Sequence, residues 1–152
     1  MQSTAPVSPN GTVAEIIAAD RAFSRMSEKQ GAGPAFIAYS HPEVRIFLRG
    51  EEPLVGKAAV IRTFGSADQK KADASGQTLT WDPSEGFMSA DGTLGWTDGH
   101  WAYKSAPNKD GRRDTLATGH YVTIWKRDPA DGQWKMVGDI GTKDNPQPPA
   151  VP

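Results

Sequence analysis

The sequence predicts an α+β fold: a cone-shaped, strongly curved antiparallel β-sheet with three N-terminal helices packed on its concave face. Three observations carry this. Apolar residues recur at helical spacing only before Gly65, and from Gln77 onward the pattern is strand-like throughout. The stretch Gly119 to Gly141 reads as a β-hairpin, with two runs rich in Val, Ile, Thr, Tyr and Trp flanking Asp128-Pro129-Ala130-Asp131-Gly132. In that turn Gly132 accepts a positive φ, and Pro129 cannot continue a central strand. Helices followed by a run of strands segregate to one face of the sheet. A sheet bent over a long helix leaves an open-mouthed concavity of the kind that hosts ligands.

The elements follow in order. Residues 1–11 are rich in Pro, Ser, Gly and Asn and form a loose lead-in. Thr12-x-x-Glu15 is a capping box. Behind it Val13, Ile16, Ala19, Phe23 and Met26 share one face of a helix over 13–30, which Gly31 stops. Pro34 opens a short second helix through Tyr39, ended by His41-Pro42. Glu43 to Arg49 is a strand, and Ala58 to Phe64 is a third helix presenting Val60, Ile61 and Phe64. Residues 65–76 are polar and read as a surface loop. Thr78 to Asp82 and Glu85 to Ser89 read as one bent strand interrupted at Pro83. Asp91-Gly92 is a tight turn. Strands then cover Thr93 to Lys104, Leu116 to Arg127 and Gln133 to Ile140, with a charged loop over 105–115. One domain spans 12–141, and 142–152 is a tail carrying four prolines.

Composition narrows the function. The net charge is −1, with 17 basic residues scattered among 18 acidic ones, so nothing marks a nucleic-acid or anionic-membrane partner. No stretch approaches the roughly 18 apolar residues of a membrane span. The absence of cysteine excludes disulfides, thiol catalysis and thiolate metal sites. It suits the cytosol or the periplasm equally. The N-terminus lacks the basic and apolar regions of a signal peptide, and it reads equally as the stub left after a signal was removed.

Several stretches, taken together and in order, resemble the nuclear transport factor 2-like superfamily in its SnoaL-like branch of small, uncharacterised bacterial domains. They are Ala19-Asp20-Arg21-Ala22-Phe23-Ser24-Arg25-Met26, Leu54-Val55-Gly56-Lys57-Ala58-Ala59, Leu79-Thr80-Trp81-Asp82-Pro83, Asp91-Gly92-Thr93-Leu94-Gly95-Trp96-Thr97 and the hairpin 119–141. The resemblance covers about residues 12–141. It implies the cone fold and, commonly, a homodimer through the sheet. It implies no single reaction, because the superfamily includes isomerases, dehydratases, cyclases, hydrolases and assembly domains. The ketosteroid isomerase type needs a base carboxylate and acidic hydrogen-bond donors. At the positions that the resemblance gives to the base and to the first-helix tyrosine, this chain has Leu48 and Phe23.

Strand alternation sorts the candidate residues. Thr97 and Trp101 share one face of their strand with Gly95. Tyr121 and Thr123 share a face of the next. Lys135, Val137 and Asp139 share a face of the last. The set chosen as ligand-binding is Phe23, Leu48, Thr97, Trp101, Tyr121, Thr123 and Asp139, with the note that a one-residue bulge reverses a strand's assignment. Asp139, in a strand otherwise built for burial, is a candidate general base with Tyr121 assisting. Its structural alternative is a carboxylate bonded to Tyr121, to a backbone group or to an arginine. His100, His120 and Asp98 form a weaker metal or acid–base candidate, without a recognised ligand spacing. Asp20 and Arg21 read as solvated helix charges or a salt link to the sheet. Arg112 and Arg113 read as solvated loop charges, with guarding the mouth as the alternative. Trp96, Ile124, Met136 and Ile140 make an apolar outer face suited to dimerisation. No cofactor or metal site is called for. The function expected is a small-molecule-binding domain for an apolar or aromatic ligand. The alternatives are an isomerase, dehydratase or cyclase using Asp139, or a dimeric interaction domain using the outer sheet face.

Overall fold

The computed structural model describes residues 11–146. Its elements run α1 (Val13–Gln30), α2 (Ala32–Ala38), β1 (Ser40–Phe47), β2 (Leu54–Val55), α3 (Lys57–Phe64), α4 (Ala67–Ala74), β3 (Thr78–Met88), β4 (Leu94–Lys104), β5 (Thr115–Arg127) and β6 (Trp134–Lys143). The six strands form one open sheet in the order β2-β1-β6-β5-β4-β3. This is the α+β class expected, a curved sheet under N-terminal helices. The lead-in through residue 10 and the tail from residue 147 lie outside the described residues. Among the described residues, no helix is long and apolar enough to cross a membrane.

Two features depart from the expected layout. First, the sheet is mixed, because β1 runs parallel to β6. Its start lies at Ser40, before Pro42, where Met136 N–H donates to the Tyr39 carbonyl. Pro42 is tolerated because the β1–β6 ladder is irregular between Ser40 and Arg45. Second, the polar stretch 65–76 contains a fourth helix. Ser66 caps it by accepting from Gln69 N–H at 3.1 Å, and Asp73 accepts from Gln69 Nε2 and from Gly33 N–H of α2. No residue of α4 is buried. Its sequence therefore carries no apolar stripe, and local capping is what makes it a helix.

α1 begins at the expected capping box, with Thr12 and Glu15 each accepting from the other's backbone. Its buried face is Ile16, Asp20, Phe23, Ser24 and Ser27. The polar members of that face explain its rotation. β3 is an edge strand, and α1 lies along it: Ser27 Oγ donates to the Leu79 carbonyl at 2.6 Å, and Ser24 Oγ accepts from Trp81 N–H at 2.9 Å. Helix hydroxyls thus complete hydrogen bonds that a missing seventh strand would have made. β3 is the single bent strand expected, with its irregularity between Pro83 and Glu85.

The bulge anticipated for one strand falls in β6. Ile124 pairs with Gly138 and Trp125 with Met136, so Val137 is the extra residue. Trp125 and Met136 are fully buried in the core with Ile16, Phe23, Val44 and Ile46. The bulge turns both Met136 and Asp139 inward. This corrects the grouping of Asp139 with Lys135 and Val137, and it removes Met136 from the outer face.

At Gly119 of β5 an added Cβ would collide with the Thr142 carbonyl oxygen and sit 2.5 Å from the Trp101 ring. At Gly141 the nearest atoms are at an ordinary 3.5 Å. Gly119→Ala is therefore expected to cost about 2 kcal/mol and Gly141→Ala to stay within about 0.5 kcal/mol of the parent, as read from urea unfolding midpoints.

Candidate functional site

The concave face presents its side chains in rows. One row crosses β4, β5, β6 and β1 as Thr97, Thr123, Asp139 and Ile46. The next carries Gly99, Tyr121 and Gly141, and the next Trp81, Trp101 and Gly119. Helices α1, α2 and α3 close over them with Phe23, Phe36 and Phe64. Phe23 meets Phe36 at 4.9 Å and Trp81 at 4.6 Å edge-on, and Phe36 stacks on Phe64 at 4.5 Å. Between rows and helices is a cavity of about 510 Å³. Phe23, Leu48, Trp101, Tyr121, Thr123 and Asp139 all line it, and Arg49, Glu51 and Tyr103 are at its margin. Six of the seven expected ligand-site residues thus line one space: Trp101, Tyr121 and Thr123 by strand alternation, Phe23 from α1, Leu48 from just after β1, and Asp139 through the β6 bulge. Thr97 is the exception. It is fully buried beneath the wall, where it accepts from Trp125 Nε1 at 2.9 Å.

Trp101 lies over Gly119, whose lack of a side chain leaves room for the indole, and its Nε1 donates to the Thr142 carbonyl at 2.9 Å. The Arg49 guanidinium sits 5.3 Å from the centre of its ring.

Asp20 is the residue that the sequence reading missed. It is fully buried, not solvated. Its carboxylate accepts from Trp81 Nε1 at 2.7 Å and from the Tyr121 hydroxyl at 2.8 Å. Burial pushes its pKa above the usual carboxylate range, and those donors pull it part of the way back. The buried Tyr121 hydroxyl is pushed far up, by burial first and then by the Asp20 charge beside it. Its proton is therefore committed to Asp20. This corrects the pairing of Tyr121 with Asp139. Arg21 does make a link to the sheet, a long 3.8 Å contact with Asp82 between two exposed side chains.

Asp139 has one protein partner, Thr123 Oγ1, which donates to Oδ1 at 2.8 Å. Neither Tyr121, a backbone group nor an arginine holds it among the described residues. Its other oxygen belongs to the cavity. Burial in these apolar walls pushes Asp139 up to about 7, against the lowering effect of the Thr123 bond and with a smaller push from the Asp20 charge.

The histidines do not build a site. His100 and His120 have ring centres 4.1 Å apart on the outer face, and His120 Nδ1 is 3.1 Å from Asp144, not from Asp98. Among the described residues, no group of three His, Asp or Glu is placed to hold a metal ion. Arg113 donates to the Gly76 and Ser105 carbonyls, away from the mouth, and so organises its own loop.

No protein-family model matches the chain, and no curated protein matches it. Solved structures do. An NTF2-like protein with a cystatin-like fold from Novosphingobium aromaticivorans superposes with a TM-score of 0.67 at 14% identity, covering 84% of this chain and 79% of that one. A ketosteroid isomerase-like protein from Erwinia carotovora atroseptica gives 0.64 at 17%, covering 88% and 97%. A putative aromatic ring hydroxylase from Novosphingobium aromaticivorans gives 0.59 at 17%, covering 87% and 90%. The chain has the nuclear transport factor 2-like fold.

In this nuclear transport factor 2-like cone, Leu48 and Phe23 form apolar wall, and the two carboxylates come from elsewhere, Asp20 from α1 and Asp139 from β6. One signal in the sequence pointed to Asp20: it stands one residue from the apolar stripe of α1, beside Ala19. What it lacked was any sign of donors, because Trp81 and Tyr121 come from two distant strands.

A carboxyl whose folded value lies above its unfolded one favours the folded state at low pH. For Asp139 this stabilisation is complete below its ordinary value of 3.8 and lost as pH rises to about 7. The stability of the parent minus that of Asp139→Asn is expected to fall by about 4 kcal/mol across this window, measured by urea unfolding of both proteins at each pH.

Proposed function

We propose that the cavity binds a small apolar or aromatic molecule and that Asp139 removes and returns a proton on it. The observation that carries this reading is the second Asp139 carboxylate oxygen, unpartnered among the described residues and facing an aromatic cavity, on a group titrating near neutrality. A base is most useful when its pKa lies near the working pH. In the ionised form Asp139 takes a proton from a carbon next to a carbonyl. The C–H electron pair passes into the enolate, and the same carboxyl then delivers the proton to the original or a conjugated carbon. Tyr121 shapes the wall, since its own proton is given to Asp20. The description of one fold neighbour as ketosteroid isomerase-like accords with proton transfer of this kind.

The test is deuterium exchange into 2-tetralone, a bicyclic ketone, followed by proton NMR in D2O. The parent is expected to accelerate exchange, with a rate that rises with pH and levels above about 7. Asp139→Asn is expected to lose at least about 100-fold. A ketone that binds without exchanging would reduce the protein to a binding domain.

A second observation favours self-association. Phe87, Trp96, Ile124, Val122, Ile140 and Phe47 are exposed on adjacent strands of the outer face, with Phe87 and Trp96 stacked at 6.2 Å. A contiguous apolar patch of this kind is costly to leave in water, and we propose that a second copy covers it. Sedimentation velocity is expected to give a dimer for the parent and a monomer for Ile124→Lys, with the cavity chemistry retained.

A further inference from the structure

We propose that the cavity selects aromatic carboxylates, with the ring between the aromatic walls, the anionic group on Arg49 at the mouth and the far end on Asp139. The inference rests on the cavity reading above and adds the ligand's charge and length.

The interior donors are already used. Thr123 donates to Asp139, Tyr121 and Trp81 to Asp20, and Trp101 to the Thr142 carbonyl. A polar ligand atom deep in the cavity therefore has one open group to meet, the free oxygen of Asp139. Everything between it and the mouth is apolar or aromatic face. The ligand that fits has polarity at its ends only.

The mouth supplies the other end. Arg49 lies over the Trp101 ring, and no salt bridge engages it among the described residues. The indole face attracts the guanidinium to the cavity entrance and leaves its N–H fork open to an anion. A planar carboxylate conjugated to a ring can meet the guanidinium fork while that ring continues into the cavity. Glu51 stands on the same rim. It is exposed, and no hydrogen bond or ion pair engages its carboxylate among the described residues, so the side chain can turn into solvent when an anion enters.

The spacing sets the length. Asp139 is level with Thr123 on β5, and Trp101, over which Arg49 lies, is level with Gly119, four residues along the same strand. At strand rise this separates the two backbone levels by about 13 Å, room for a bicyclic aromatic substituted at both ends.

Fluorescence titration with 6-hydroxy-2-naphthoate and 2-naphthol at neutral pH tests this on the full chain and on Arg49→Gln. The two probes share the ring and the hydroxyl and differ in the carboxylate. The parent is expected to bind the acid about tenfold more tightly than the naphthol, and Arg49→Gln to lose that preference, with the acid losing affinity and the naphthol changing much less. Equal binding of both probes, unaltered by Arg49→Gln, would overturn the anion inference and leave the cavity reading standing. Binding of neither probe by a folded parent would overturn both.

Discussion

The buried carboxylate of Asp20 joins one helix to two strands. Its donors are Trp81 of β3 and Tyr121 of β5. A carboxylate taken out of water is costly unless its lone pairs are met. Meeting them here fixes the rotation of α1 about its axis and turns both the Trp81 indole and the Tyr121 ring to face the cavity. The same rotation brings Ser24 and Ser27 to the free edge of β3. Helix docking, edge protection and the orientation of two cavity walls therefore depend on one charge.

That charge also reaches the second carboxylate. Asp139 is partly buried with a single hydroxyl partner, and the Asp20 charge adds to the effect of burial in keeping its proton on. Two acidic residues in one interior thus behave differently for stated reasons. Asp20 has a donor on each oxygen and acts as a structural joint. Asp139 has one donor, an open oxygen and a proton that can leave near neutral pH. The β6 bulge at Val137 makes this division possible. Without the extra residue, Met136 and Asp139 could not both face inward, and the strand would have to give up either its core contact or its cavity carboxylate.

The mouth follows from a small residue. Gly119 clears the surface on which Trp101 lies, and Trp101 in turn supports Arg49. Polar function is thereby concentrated at the two ends of an aromatic space, a pattern that binds by shape and apolar contact and orients by its ends.

The order and kind of most elements were legible in the chain because local chemistry dictates them. The Thr12–Glu15 capping box, the Asp91-Gly92 turn, the hairpin around Gly132 and the alternation of Thr97, Trp101, Tyr121 and Thr123 all act over a few residues. α4 was not legible, because its helix rests on Ser66 and Asp73 and has no buried face. The parallel pairing of β1 with β6 was not legible either, since it joins segments about ninety residues apart with no turn between them to announce it. Asp20 looked like a surface charge because a burial cost is visible in sequence and the donors that offset it are not. Sequence by itself determined periodicity, caps and turns, and so the fold class and most of the cavity-facing set. Tertiary structure decided which carboxylate is a joint and which is open, because that depends on donors, charges and a bulge assembled from opposite ends of the chain.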